Sequence, residues 1–234
     1  MTSTHLYPYT RSVVRRSERT PGFGSACRAF VAVALVAVIV MFGMPQQVSA
    51  KPMPQSQERV IAQSAKEAIA IFDSLTELSA ADRSDVFSAL VADIARQAAI
   101  FLGVDVRAMQ QAWLAADLAH QRALVNGLTQ LGVPYKLNSA IENVAFDCSG
   151  LVAFAWGKVG VGMTHGSSAQ FASATRVKVE DAQPGDLIWR PGHISMYLGV
   201  QSAVLQTPYS GRSVELQLMN ERITSWVKYA NPLI

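Results

Sequence analysis

The stretch FDCSGLV, residues 146–152, decides the fold that this sequence predicts. It follows a segment rich in Asn and Ser, and its apolar spacing predicts a helix over residues 148–159. Asp147 is a good N-cap residue, so Cys148 falls in the first turn of that helix. The positive end of the helix dipole and free backbone N–H groups favour a thiolate there. A small buried cysteine is the alternative, and Cys148 alone does not decide between the two.

Downstream of this helix the sequence alternates between apolar and polar residues, which predicts strands over residues 186–189 and 194–198. The tight turn Pro191-Gly192 lies between them and places His193 at the start of the second strand. A histidine at that position can face the beginning of a helix in the neighbouring layer. Cys148 and His193 would then form the pair that acyl transfer uses.

Upstream of the cysteine the pattern is helical, with predicted helices over residues 58–78, 82–101 and 106–131. Helices first, then one helix followed by antiparallel strands, predict an α+β fold. The first two helices have three open interpretations: a coiled hairpin, an arm that binds a protein partner, or an inhibitory pro-segment.

The first 50 residues have the order of a secretory signal peptide. Five arginines precede an apolar stretch over residues 29–44, and Val48-Ser49-Ala50 resembles a cleavage site before Lys51. An uncleaved membrane anchor is the alternative, but the stretch of roughly 16 residues is shorter than the ~20 that span a bilayer. We expect a secreted, periplasmic or wall-associated protein. The five arginines are Arg11, Arg15, Arg16, Arg19 and Arg28.

The charge and the cysteines of the remaining chain exclude two broad classes. The leader holds five of the 20 Lys and Arg residues and one of the 17 acidic residues, which leaves 15 basic and 16 acidic groups. A formal charge of −1 gives no basic surface for nucleic acid. Cys27 belongs to the leader, so Cys148 is unpaired and an internal disulfide framework is excluded. No two histidines of residues 51–234 have a ligand-like spacing, and we expect neither a metal nor another cofactor.

Three motifs in this order resemble the NlpC-type family of cell-wall cysteine peptidases: FDCSGLV, the PGDLI stretch at residues 184–188, and H-x-x-x-Y-L-G at residues 193–199. The similarity extends over residues 108–234. It implies a papain-like α+β domain in which the cysteine helix packs on an antiparallel sheet. We therefore divide the chain into a signal peptide (1–50), a small all-α segment (51–104) and a peptidase domain (105–234).

The resemblance also implies roles for individual residues. Cys148 matches the nucleophile, His193 the base, and Gln206 the third polar position that orients the imidazole. The family would use them to hydrolyse stem peptides of peptidoglycan, commonly between D-glutamate and diaminopimelate. Positions around the substrate subsites are matched by Tyr135, Asp147, Ser149 and Ser167.

Two departures from the family bear on activity and specificity. Many relatives have His where this chain has Gln206, and a glutamine accepts the imidazole N–H without supplying negative charge. Lys136-Leu137-Asn138 replaces a tryptophan and glycines beside the substrate groove. His165 falls where relatives often have a basic residue, and either a substrate carboxylate or solvent would meet it.

The sequence leaves three functions open. The first is a monomeric cysteine endopeptidase that acts on peptidoglycan stem peptides. The second is a weakly active or inactive wall-binding module, which the Gln206 substitution favours. The third is an amidase that uses the same thiol on the bond between glycan and stem peptide.

Overall fold

A computed structural model describes residues 57–233, so the predicted leader and its cleavage site lie outside the described residues. Two long helices open this part of the chain, where the sequence predicts them. Ser79 begins the second by accepting a hydrogen bond from the Asp82 N–H, and Gly103 ends it at φ 68°, a left-handed conformation that suits glycine. The helices are α1 (Gln57–Ser74), α2 (Ala80–Leu102), α3 (Val106–Ala115), α4 (Leu118–Leu128), α5 (Cys148–Gly157), α6 (Ser167–Ser173) and α7 (Glu221–Thr224).

The prediction of one helix over residues 106–131 is wrong, because two helices occupy that region. Ala116 is extended, with φ −67° and ψ 148°, and this ends α3. The side chain of Asp117 then accepts a hydrogen bond from the His120 N–H at 3.0 Å and begins α4. The Asp side chain competes with the helical backbone by capping a new helix. The helix therefore breaks here although the apolar periodicity continues.

A six-stranded antiparallel sheet forms the second layer, in the order β3-β8-β4-β5-β6-β7. A separate two-stranded hairpin, β1–β2, precedes the cysteine helix. The strands are β1 (Ala140–Ile141), β2 (Ala145–Phe146), β3 (Thr175–Val177), β4 (Leu187–Arg190), β5 (His193–Tyr197), β6 (Ala203–Gln206), β7 (Glu215–Leu218) and β8 (Lys228–Asn231).

Helix α5 packs on one face of this sheet, mainly against β5. Ile194 and Met196 of β5 face the main apolar core together with Leu151 and Val152 of α5. Successive side chains of a strand point to opposite faces, so Tyr197, the residue after Met196, belongs to a smaller apolar cluster on the other face. The predicted α+β fold, with the cysteine helix on an antiparallel sheet, is confirmed.

The amino-terminal helices share the main core with the sheet domain. Phe72 of α1 and Phe87 of α2 meet edge to face, with ring centroids 5.0 Å apart. Helix α1 also packs on α4, and the Glu58 carboxylate accepts a hydrogen bond from the Leu216 N–H of β7 at 3.2 Å. The predicted boundary between residues 104 and 105 stays a prediction. None of the helices within residues 57–233 is long and apolar enough to cross a membrane.

A buried histidine connects α4 to the turn before β4. His120 is fully buried; its Nδ1 lies 2.7 Å from Asp117 Oδ2 and its Nε2 lies 3.1 Å from Asp186 Oδ1. Asp186, also fully buried, accepts a second hydrogen bond from the Gln183 N–H at 2.9 Å. The Trp156 ring of α5 packs edge to face on the imidazole at 4.9 Å. This cluster fixes the β4–β5 hairpin, and with it His193, relative to the helices.

We expect His120→Ala to lower the free energy of unfolding by about 3 kcal/mol, because it leaves the Asp186 carboxylate buried without its partner. Chemical denaturation followed by circular dichroism measures this loss. Arg96→Ala removes an exposed pair of the same i,i+3 spacing, Asp93–Arg96 at 2.7 Å, and should cost about 0.5 kcal/mol. Equal losses in the two variants would contradict a structural role for the buried cluster.

Candidate active site

Cys148 is the first residue of α5, as the sequence predicts. The Asp147 side chain caps the helix by accepting a hydrogen bond from the Gly150 N–H at 2.7 Å. The Ser139 carbonyl approaches the same turn and accepts a hydrogen bond from the Asp147 N–H at 2.8 Å. A Cβ at Gly150 would lie 2.1 Å from that carbonyl oxygen, so only glycine fits there. The sequence analysis did not assign this role to Gly150, which depends on a contact with a distant loop.

The Cys148 sulfur lies beside the beginning of β5. Burial raises the pKa of the thiol, and the charge of Asp147 raises it further. The backbone N–H groups of Ile194, Ser149 and Cys148 lower this pKa, but burial outweighs them. The helix terminus was expected to favour a thiolate. Its backbone N–H groups do lower the pKa of the thiol, but they do not determine the net shift. The net shift favours the thiol.

Gln206 holds the imidazole of His193, the pairing that the sequence predicts. His193 Nε2 lies 2.9 Å from Gln206 Oε1, and Gln206 Nε2 donates to Gln217 Oε1 at 2.6 Å. The second bond presents the amide oxygen to the histidine, so Nε2 carries the proton and donates. Nδ1 is then left as the basic nitrogen. The sequence analysis missed Gln217, because its contact depends on the register of β6 against β7.

Burial also lowers the pKa of His193 below its ordinary value of 6.5, the hydrogen bond with Gln206 opposes this shift, and the charge of Arg190 adds to it. A histidine with a lowered pKa is neutral near pH 7. Together with the raised pKa of Cys148, this gives a neutral thiol and a neutral imidazole at rest. Burial thus shifts the pKa of each group toward its neutral form.

Tyr135 lies near the cysteine, as the sequence predicts. Burial raises the pKa of its phenol, and the charges of Cys148 and Asp147 raise it further. Its backbone is held by a bridge to Phe146 and by a hydrogen bond from the Tyr135 N–H to the Arg212 carbonyl at 2.9 Å. The phenol stays protonated at neutral pH and can donate a hydrogen bond toward the groove.

Asp147 and Ser149, the next two predicted positions, point inward. Both are buried, and the Ser149 hydroxyl donates to Asp147 Oδ1 at 3.0 Å. Gln170 Nε2 donates to the Ser149 carbonyl at 2.8 Å and ties α6 to the cysteine helix. Ser167 is half-buried at the start of α6. Substrate contacts of these residues stay predictions.

His165 has a protein partner that the sequence analysis did not consider. Its Nε2 lies 2.8 Å from Asp147 Oδ1 and 2.9 Å from Asp147 Oδ2. Burial alone raises the pKa of Asp147, but hydrogen bonds from the Gly150 N–H, His165 and the Ser149 hydroxyl hold it below its ordinary value. Within residues 57–233, no group of three or more His, Cys, Asp or Glu side chains is placed to hold a metal ion.

The region that contains the candidate site is also the region that resembles known proteins. Residues 132–229 match the model of the NlpC/P60 family. Peptidoglycan endopeptidase RipA from Mycolicibacterium smegmatis is 29% identical over 124 residues, which are 46% of this chain and 24% of the relative. Peptidoglycan endopeptidase RipB from Mycobacterium tuberculosis is 37% identical over 87 residues, which are 30% of this chain and 36% of the relative. The chain thus spans about a quarter and about a third of these two curated relatives.

The solved structure of the peptidoglycan hydrolase RipB from Mycobacterium tuberculosis is also similar, with a TM-score of 0.43 and 20% identity. The similarity covers 82% of this chain and 96% of that one. The family match and the curated relatives confirm the resemblance seen in the sequence.

We expect Gln206→Glu to raise the pKa of His193, because a carboxylate facing Nε2 stabilises the imidazolium. NMR titration of the imidazole Cε1–H signal measures this pKa directly. Gln201→Glu, a change of the same charge at an exposed turn, is the matched control. A His193 pKa that is equal in the two variants would contradict the assigned contact.

Proposed function

We propose that this chain, which contains an NlpC/P60 domain at residues 132–229, is a peptidoglycan hydrolase that cuts stem peptides through a Cys148 acyl-enzyme. One observation carries the proposal. Cys148 is the first residue of α5, which packs on β5, His193 is the first residue of β5, and Gln206 Oε1 lies 2.9 Å from His193 Nε2. A nucleophile, a base and an orienting group therefore meet at the first turn of a helix.

In the proposed first step, Nδ1 of His193 takes the Cys148 proton as the sulfur attacks the peptide carbonyl and forms a C–S bond. The carbonyl oxygen becomes an oxyanion, and the Cys148 N–H in the first turn of α5 is placed to stabilise it. The imidazolium then gives its proton to the leaving amine as the C–N bond breaks. Gln206, unlike a carboxylate, adds no negative charge that would stabilise this imidazolium.

The acyl-enzyme is then hydrolysed. His193, neutral again, takes a proton from water while the water oxygen attacks the thioester carbonyl. The C–S bond breaks, the sulfur takes the proton back, and the product leaves as a carboxylic acid.

The proposed substrate is the stem peptide, cut between the γ-carboxyl of D-glutamate and diaminopimelate. This choice rests on the family and on curated relatives that are named peptidoglycan endopeptidases. Tyr135 is the proposed hydrogen-bond donor to the substrate or the oxyanion, and Ser167 is a further proposed contact. Leu137, which is 67% exposed on the loop before β1, gives the groove an apolar border.

The predicted leader and helices α1 and α2 are consistent with this proposal but do not identify which peptidoglycan bond is cut. A signal peptide over residues 1–50 would deliver the enzyme to the wall, where it would act as a monomer. Helices α1 and α2 would position the edge strand β7 through Glu58, whether or not they also bind a protein partner. An amidase acting between glycan and stem peptide would use the same residues.

Mass spectrometry of purified peptidoglycan fragments, before and after incubation with the protein, tests the proposal. We expect new fragments that end at D-glutamate and begin at diaminopimelate, and none with Cys148→Ala. Ser225→Ala, a change at an exposed position outside the site, should cut like the unchanged protein. Free stem peptides with intact D-glutamate bonds would assign the amidase reaction. Unchanged fragments with bound peptidoglycan would favour the wall-binding module.

A further inference from the structure

The carboxylate of Asp147 joins three separate segments at the beginning of the cysteine helix. From α5 it accepts hydrogen bonds from the Gly150 N–H at 2.7 Å and the Ser149 hydroxyl at 3.0 Å. From the loop before β1 it accepts one from the Asn138 N–H at 2.8 Å. From the loop before α6 it accepts one from His165 Nε2, at 2.8 and 2.9 Å from its two oxygens.

His165 differs from the other donors in its exposure. The Asp147 side chain is 6% exposed and the His165 side chain is 36% exposed. The other donors are two backbone N–H groups and the hydroxyl of the buried Ser149. A carboxylate has no proton to donate, so His165 Nε2 must carry the hydrogen of this contact. His165 is therefore the one solvent-facing donor in the cluster.

The charge of Asp147 acts on the neighbouring nucleophile. After burial, that carboxylate is the group that raises the pKa of the Cys148 thiol, whereas backbone N–H groups lower it. The other ionisable group coupled to the thiol is Tyr135, whose pKa the charge of the cysteine raises in turn. A hydrogen bond that holds Asp147 toward His165 reduces the effect of its negative charge on the sulfur.

We propose that His165 is a positioning residue that acts through Asp147: it holds the carboxylate in the N-cap position of α5 and offsets its negative charge beside the Cys148 sulfur. A role of the His165–Asp147 pair in catalysis rests on the proposed function. The effect of the pair on the Cys148 thiol does not depend on that function. The inference also explains how a loop more than ten residues downstream contributes to the nucleophile. A structural cap alone would need no ionisable donor.

The test measures the rate at which iodoacetamide alkylates Cys148 as a function of pH, followed by mass spectrometry of the peptide that contains this cysteine. We expect His165→Ala to move the midpoint of the profile upward by about half a pH unit, and to slow alkylation about threefold below the midpoint. His165→Arg, which keeps a donor and a positive charge, should return the midpoint to that of the unchanged protein or below it.

A second pair of variants tests the route through Asp147. Asn is as good an N-cap as Asp, so Asp147→Asn removes the charge and keeps a capping side chain. In that background His165→Ala should leave the midpoint unchanged, because there is no charge left to offset. An equal upward shift in both backgrounds would overturn the proposal. So would an unchanged midpoint in the single His165→Ala variant, whatever the stability of the double variant.

Lys158→Ala is the matched control. It removes a side chain about as exposed as His165 and its 2.8 Å ion pair with the exposed Glu142, at the other end of α5. We expect no change in the alkylation midpoint, and a shift equal to that of His165→Ala would overturn a specific role for His165. Thermal unfolding of each variant confirms that the fold is intact. A protein that alkylates as expected but leaves peptidoglycan uncut would refute the proposed function and retain this inference.

Discussion

The buried carboxylate of Asp147 is the interaction on which the site depends. It begins α5 and so places Cys148 in a helical first turn, where the backbone N–H groups can reach the sulfur and an oxyanion. The same two oxygens hold the loop before β1 and the loop before α6, which form two borders of the site. One carboxylate, stabilised by at least four hydrogen bonds, therefore determines the position of Cys148 and of the loops around it.

Burial determines the chemistry of this site. It raises the pKa of Cys148 and lowers that of His193, so both groups are neutral at rest. Gln206 is consistent with that state, because its amide orients a neutral imidazole, whereas a carboxylate would favour the charged form. The substitution that looks like a loss of function in the sequence thus agrees with its surroundings in the structure. Gln217 keeps the amide in the required orientation.

The sequence predicted the features that depend on local chemistry. The helix at Cys148 could be predicted because Asp147 is a capping residue followed by apolar spacing, and the β4–β5 hairpin because Pro191-Gly192 separates two alternating stretches. It could not predict contacts between distant segments. His165 lies 18 residues from Asp147 and Gln217 lies 11 from Gln206, and no local pattern records either pairing. The break at Ala116 was missed because the apolar periodicity continues across it.

The proposed function requires a covalent acyl-enzyme between Cys148 and a stem peptide. The most direct measurement is the mass of the protein after brief incubation with a stem-peptide substrate and acid quenching, followed by mapping of the modified peptide. We expect an added acyl mass on the peptide that contains Cys148, and none in the His193→Ala variant at the same time point. Cleavage of the substrate without any such adduct, and with full activity in Cys148→Ala, would contradict it.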